Sequence, residues 1–189
     1  MRRVARSLVL LPAAVWLLAM TGHPALAEIA GMPKIIDGDT IELQGQAIRL
    51  YGIDAPELGQ ACTIEERAYD CGLVARTALL DLTAGVAVTC QVVSAEVVSA
   101  EVVSAEVVSA EPGRAAEDGR PGHCFAQGYD LSEGMTYTGW ALAQREVTAH
   151  YLVFEERAQA AGRGLWKGRF VTPWDWRGGA RLAVQGAAE

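Results

Sequence analysis

Residues 36–57, IDGDTIELQGQAIRLYGIDAPE, restrict the fold more than any other stretch of the chain. Thr40-Ile41-Glu42-Leu43 alternates polar and apolar, the pattern of a half-buried strand. Gln44-Gly45-Gln46 reads as a turn. Ala47 to Ile53 reads as a second strand, with Ile48, Leu50 and Gly52 on one face and Arg49 and Tyr51 on the other. Pro56 ends the run and opens a loop. The hairpin carries Asp37 and Asp39 at its start, Asp54 and Glu57 at its end, and Arg49 between them. Four carboxylates and an arginine this close in sequence form a candidate site for a hard metal ion and a phosphate. Each residue alone has an ordinary reading. Asp-Gly is a common hairpin turn, and the charges alone read as surface carboxylates or an Arg–Asp salt bridge.

The chain has 189 residues, enough for one domain with a real core. Residues 1–27 read as a secretory signal peptide. Arg2, Arg3 and Arg6 precede an apolar run from Leu8 to Met20, and Ala25-Leu26-Ala27 is a small-x-small cleavage site. The apolar run is too short to cross a bilayer core of ~30 Å as a helix. The expected mature protein starts at Glu28, is secreted or periplasmic, and has no stable membrane association after cleavage. It has 13 basic and 23 acidic residues, a net charge of −10. A nucleic-acid partner then needs local positive charge or bound cations, because its affinity comes largely from neutralised phosphates.

All four cysteines lie in the mature part. An even count behind a leader points to two disulfides, for which three pairings exist. Cys62–Cys71 closes a short local loop, and Cys90–Cys124 joins two strand-like segments; this pair of pairs is favoured. A zinc site is the alternative, without a CxxC spacing to support it.

Downstream, the loop after Pro56 holds Cys62 and the charged run Glu65-Glu66-Arg67. Cys71 to Ala84 fits a helical period stopped by Gly85, and Val86 to Cys90 alternates as a strand. Further helices are expected over 132–143 and 151–161. Pro173 to Arg177 is a short aromatic segment. The tail, 178–189, has little to bury. Val-Val-Ser-Ala-Glu occurs four times without a break over residues 92–111. Five residues match neither the strand period nor the helix period. As a helix, the valine pairs would advance ~140° per repeat and smear around the axis. The segment reads as a tolerated surface insertion; an extended hairpin arm and a self-association strand are the alternatives.

DGDT at 37–40, IRLYGIDAPE at 48–57, Gly119-Arg120, and the late GLWKG and PWDWR runs resemble a secreted bacterial staphylococcal-nuclease-like (thermonuclease) domain. The resemblance runs in order from about Pro33 to Arg177. It implies an α+β fold: a five-stranded OB-fold β-barrel with three helices over residues 28–177, with the repeat inserted between strands 4 and 5. A surface loop there tolerates insertion, because closure entropy grows only as the logarithm of length. The implied activity is that of an endonuclease, a hydrolase of phosphodiester bonds in DNA and RNA, single-stranded preferred. The implied cofactor is calcium, held by Asp39, Asp54 and the Ala55 carbonyl, with Asp37 and Thr40 beside these ligands. Glu57 is implied as the general base and Arg49 as the phosphate-gripping arginine.

The chain departs from the family pattern in places. The second catalytic arginine belongs in a Tyr-Gly-Arg run; here the run is Asp118-Gly119-Arg120, so Arg120 is the match and Arg114 the competitor. Nucleotide-packing aromatics are replaced by Asp118 and Gln144. His123 and His150 lack a metal-ligand pattern, and Trp140, Trp166, Trp174 and Trp176 read as packing aromatics. These departures and the negative charge keep a second reading open, a non-catalytic OB-fold binding or interaction module. A self-associating surface protein would rest on the repeat alone. The sequence leaves the oligomeric state open.

Overall fold

The computed structural model describes residues 27–93 and 119–183. The leader except Ala27, the repeat beyond Val93, Arg114, Asp118 and residues 184–189 lie outside these. Strands β1 (Ala27–Gly31), β2 (Lys34–Ile35), β3 (Thr40–Leu43) and β4 (Gln46–Leu50) come first. Next are β5 (Ile53–Asp54), β6 (Ala61–Ile64), β7 (Arg67–Asp70) and helix α1 (Cys71–Leu82). Then follow β8 (Val88–Val92), β9 (Arg120–Ala126), β10 (Tyr129–Asp130) and α2 (Leu131–Thr138). The last are β11 (Leu142–Ala143), α3 (Leu152–Ala160), a 3-10 turn (Gly164–Lys167) and α4 (Pro173–Arg177).

The architecture is α+β. The main sheet runs β1-β8-β9-β4-β3-β2, with β10 added to β9. It is mixed, because β4 and β9 are parallel while their neighbours are antiparallel. The Gln44 side chain, at the β3–β4 turn, donates to the Ala30 carbonyl of β1 at 2.9 Å. That bond joins strands far apart in the sheet order, as the sheet curls into a half-barrel, compatible with an OB-like fold. Its concave face holds the core: Ile41, Leu43, Ile48, Leu50 and Val88 from the strands, Leu79 and Met135 from the helices. The Cys90–Cys124 disulfide lies inside this core, across directly opposed positions of β8 and β9. The Cys62–Cys71 disulfide ties the β6–β7 hairpin to the start of α1.

The count of five strands and three helices is corrected. Among the described residues the main sheet alone has seven strands, two small two-stranded sheets accompany it, and there are four α-helices. Local chemistry explains the differences. The loop around Glu65-Glu66 is a hairpin, because both glutamates adopt left-handed backbone (φ 49 and 65°) and reverse the chain between β6 and β7. The run 47–53 divides at Gly52, whose φ of +73° breaks the strand; a Cβ there would press on Thr148 and Tyr151. The helix expected over 132–143 stops at Thr138, where Gly139 takes φ +79° as a left-handed cap and donates to the Met135 and Thr136 carbonyls. Leu142 and Ala143 are thereby free to pair with β5. Glu155 of α3, itself buried, accepts the Ala143 N–H at 2.6 Å and so fixes that pairing. The aromatic segment is helix α4, started by Pro173 and by Thr172, which accepts the Asp175 N–H.

Gly72, in the first turn of α1, lies against the backbone of Glu57, and a Cβ there would overlap the Glu57 carbonyl. Gly72→Ala is expected to destabilise the fold by about 1–3 kcal/mol, as overpacking does. Urea unfolding measures it against Leu80→Ala, on the exposed face of the same helix, where a change within about 0.5 kcal/mol is expected.

Candidate functional site

Asp37 and Asp39 form a self-bonded turn, in which the Asp37 carboxylate accepts the Asp39 N–H at 3.0 Å. The Asp39 carbonyl accepts the Leu50 N–H at 2.7 Å, which ties that turn to the end of β4. The Asp39 side chain is buried and accepts from three groups: the Thr40 hydroxyl (3.0 Å), the Ala55 N–H (2.9 Å) and Arg49 Nη2 (3.2 Å). The same Arg49 Nη2 donates to Asp54 Oδ1 at 2.9 Å, so one guanidinium nitrogen bridges two buried carboxylates. Arg49 Nε is buried and has no hydrogen-bond partner among the described residues.

Glu57 stands at the rim. Its N–H donates to Gln60 Oε1 at 3.1 Å, while Gln60 Nε2 donates to the Val171 carbonyl at 2.7 Å. Gln60 is fully buried, so one side chain fixes both Glu57 and the segment entering α4. Mutual backbone bonds between Thr63 and Arg169 hold the same segment. That segment delivers a residue that sequence reasoning missed. Arg177, at the end of α4, donates Nη1 to Asp54 Oδ1 (3.0 Å) and to Glu57 Oε1, and Nη2 to Asp54 Oδ2. The signal available was the Thr-Pro start of a short helix; nothing in the sequence connects Arg177 to a carboxylate 120 positions earlier.

Asp37, Asp39, Thr40, Arg49, Glu57 and Arg177 line one cleft of about 270 Å³, with Asp54 beneath the two arginines. Arg120 lies elsewhere. The β4–β9 register sets Arg120 beside Ile48 and Pro121 beside Arg49. Arg120 therefore shares the strand face of Ile48, opposite to that of Arg49, and its guanidinium reaches Gln46 at 3.5 Å. His123 packs on Tyr51 and His150 on Tyr151. Trp140 and Trp166 pack around the small core of Cys62, Cys71, Leu142 and Leu165, whereas Trp174 is exposed.

The electrostatics show an unmet need for positive charge. Burial pushes the Asp39 carboxyl up to about 7; Asp37 and Asp54 add to the rise, and Arg49 opposes it without cancelling it. Burial disfavours the charged Arg49, yet Asp39 and Asp54 hold it above its ordinary value. Hydrogen bonds to Asp54 and Glu57 raise Arg177 as well. Among the described residues no three carboxylates stand as a preassembled metal cage, because the arginines lie between them. The donors present are hard carboxylate oxygens, and four acids face two arginines. This set fits a calcium ion.

The sign of the Asp39 shift gives a pH dependence. Between about 4 and about 7 the folded protein binds more protons here than the unfolded chain. This stabilisation is complete below the unfolded value of 3.8 and is lost as pH rises through about 7. In chelator, Tm is expected to fall across this window, and Asp39→Asn is expected to flatten the slope. An unchanged slope in Asp39→Asn would remove the attribution.

No protein-family model matches the chain. It is 30% identical over 155 residues to the succinoglycan biosynthesis protein ExoI of Rhizobium meliloti (strain 1021), covering 79% of this chain and 71% of that protein. It is also 30% identical over 152 residues to each of two probable staphylococcal-like nucleases of Oryza sativa subsp. japonica, CAN2 and CAN3. Those matches cover 80% of this chain but only 34% and 33% of the rice proteins, so the chain spans about a third of their length. With the curled sheet and the acid–arginine site in place, the coverage of the Rhizobium protein is enough to place the chain: it belongs to one family with the succinoglycan biosynthesis protein ExoI, and most of its length is similar to a stretch of the two staphylococcal-like nucleases.

Proposed function

We propose that the protein is a secreted or periplasmic calcium-dependent nuclease that hydrolyses phosphodiester bonds of single-stranded DNA or RNA. The observation that carries this reading is Arg49, which bridges Asp39 and Asp54 on the wall of a cleft and keeps a buried Nε–H that has no partner among the described residues. A buried donor left unpaired is costly, and a phosphate oxygen is an acceptor suited to it. The two rice relatives are named as probable nucleases, which supports the same chemistry.

The acids divide into two roles by burial. Asp39 and Asp54 are buried and, with the Ala55 carbonyl, would hold calcium, while Asp37 and Thr40 position Asp39. When bound, calcium offsets the negative charge of the acidic cluster and of the phosphodiester. Glu57 is more exposed, at the cleft rim, where a water molecule can reach it. Its carboxylate takes a proton as the water oxygen forms a bond to phosphorus; the P–O ester bond opposite breaks, and the departing alkoxide is protonated by solvent. Arg49 stabilises the charge that grows on the non-bridging oxygens. The Rhizobium relative is named for succinoglycan biosynthesis, which keeps a second reading in play, in which the fold serves as a non-catalytic binding module.

Cleavage of single-stranded DNA by residues 28–189, with calcium and with chelator, separates the two. Calcium-dependent cleavage that falls by about 10²-fold or more in Glu57→Gln is expected. Equal rates for Glu57→Gln and the parent chain would sink the assignment of the base, and no cleavage by the parent chain would favour the binding module.

A further inference from the structure

We infer that Arg177, and not Arg120, is the second phosphate-binding arginine of this site. The inference rests on the nuclease reading and changes which part of the chain completes it. A pentavalent phosphorane carries charge on several oxygens, and one guanidinium reaches only some of them. Two arginines line the cleft with Glu57, and they are Arg49 and Arg177. Arg120 is turned away by strand parity, since it shares the face of Ile48 and touches Gln46.

Arg177 is placed as a working residue is placed. Its helix is started by Thr172 and Pro173, its approach is held by Gln60 and by the Thr63–Arg169 bonds, and Arg181 covers the neighbouring Trp176 ring at 4.3 Å. The guanidinium is thus delivered by a supported element. It lies across Asp54 and Glu57, the same carboxylates proposed for cation binding and for the base. A guanidinium there keeps the acids from repelling one another before substrate arrives. It also competes with a divalent cation for Asp54. A cation held by Asp54 would release Arg177 toward a phosphate beside Glu57, which would couple cation affinity and phosphate grip through one side chain.

The test compares Arg177→Ala, Arg177→Lys and Arg120→Ala with the parent chain. Two quantities are read: kcat and KM on single-stranded DNA with calcium, and calcium affinity without DNA, followed by the fluorescence of Trp174 and Trp176. Arg177→Ala is expected to lower kcat by about 10²-fold more than Arg120→Ala does. Arg177→Lys should recover only part of that loss, because an ammonium keeps the charge without the fork. Arg177→Ala should also bind calcium more tightly, since the competing guanidinium is gone; a residue that merely braced the fold would not move affinity in that direction. The inference is overturned if Arg120→Ala loses as much as Arg177→Ala, if Arg177→Ala cleaves like the parent, or if calcium affinity stays unchanged. A parent chain that cleaves nothing marks instead the failure of the nuclease reading.

Discussion

Arg49 holds together parts of the chain that their own charges would drive apart. Asp39 comes from the start of β3 and Asp54 from β5, and both are buried where water cannot screen them. A buried carboxylate without a partner is among the more destabilising features a fold can contain. The bridging guanidinium makes the arrangement tolerable, and the Ala55 N–H and Thr40 hydroxyl complete the Asp39 shell. Compensation is incomplete, as the raised Asp39 shows. A site built in this way is stable enough to form and still favours the arrival of further positive charge.

The hairpin was legible because its period, turn and charges all lie within one short stretch. Ile41, Leu43, Ile48 and Leu50 bury as their alternation predicts, and Gln44-Gly45 supplies the left-handed turn. The acids and Arg49 follow from the same register. The missed features are those in which one residue overrides the trend of its neighbours. Gly139 stops a helix whose hydrophobic pattern continues, and Gly52 divides a run of strand formers. Glu65 and Glu66 turn a hairpin with backbone angles that glutamate rarely adopts, so composition gave no warning. The pairing of β1 with β8 depends on segments about 60 residues apart, beyond the reach of any local period.

The positions of Arg120 and Arg177 were hidden from the sequence for a different reason. A Gly-Arg run near the expected strand drew attention to Arg120, but a strand has two faces. The register Arg49↔Pro121 decides which face Arg120 takes, and a register is a property of two strands, not of one motif. Arg177 carried no such motif, and its position depends on contacts with Gln60 and Thr63 far upstream.

Those upstream contacts govern the order in which the molecule can assemble. The hairpin of β3 and β4 closes over a handful of residues, whereas β4 must wait for β9, and Glu57 and Asp54 must wait for α4. Contacts of such long sequence separation slow folding, because loop-closure entropy is lost before they are gained. During synthesis, the acidic half of the site therefore emerges long before Arg177 does. A half-made chain presents these carboxylates with Arg49 but without Arg177. The wall that Arg177 contributes exists only once α4 has docked beside the hairpin.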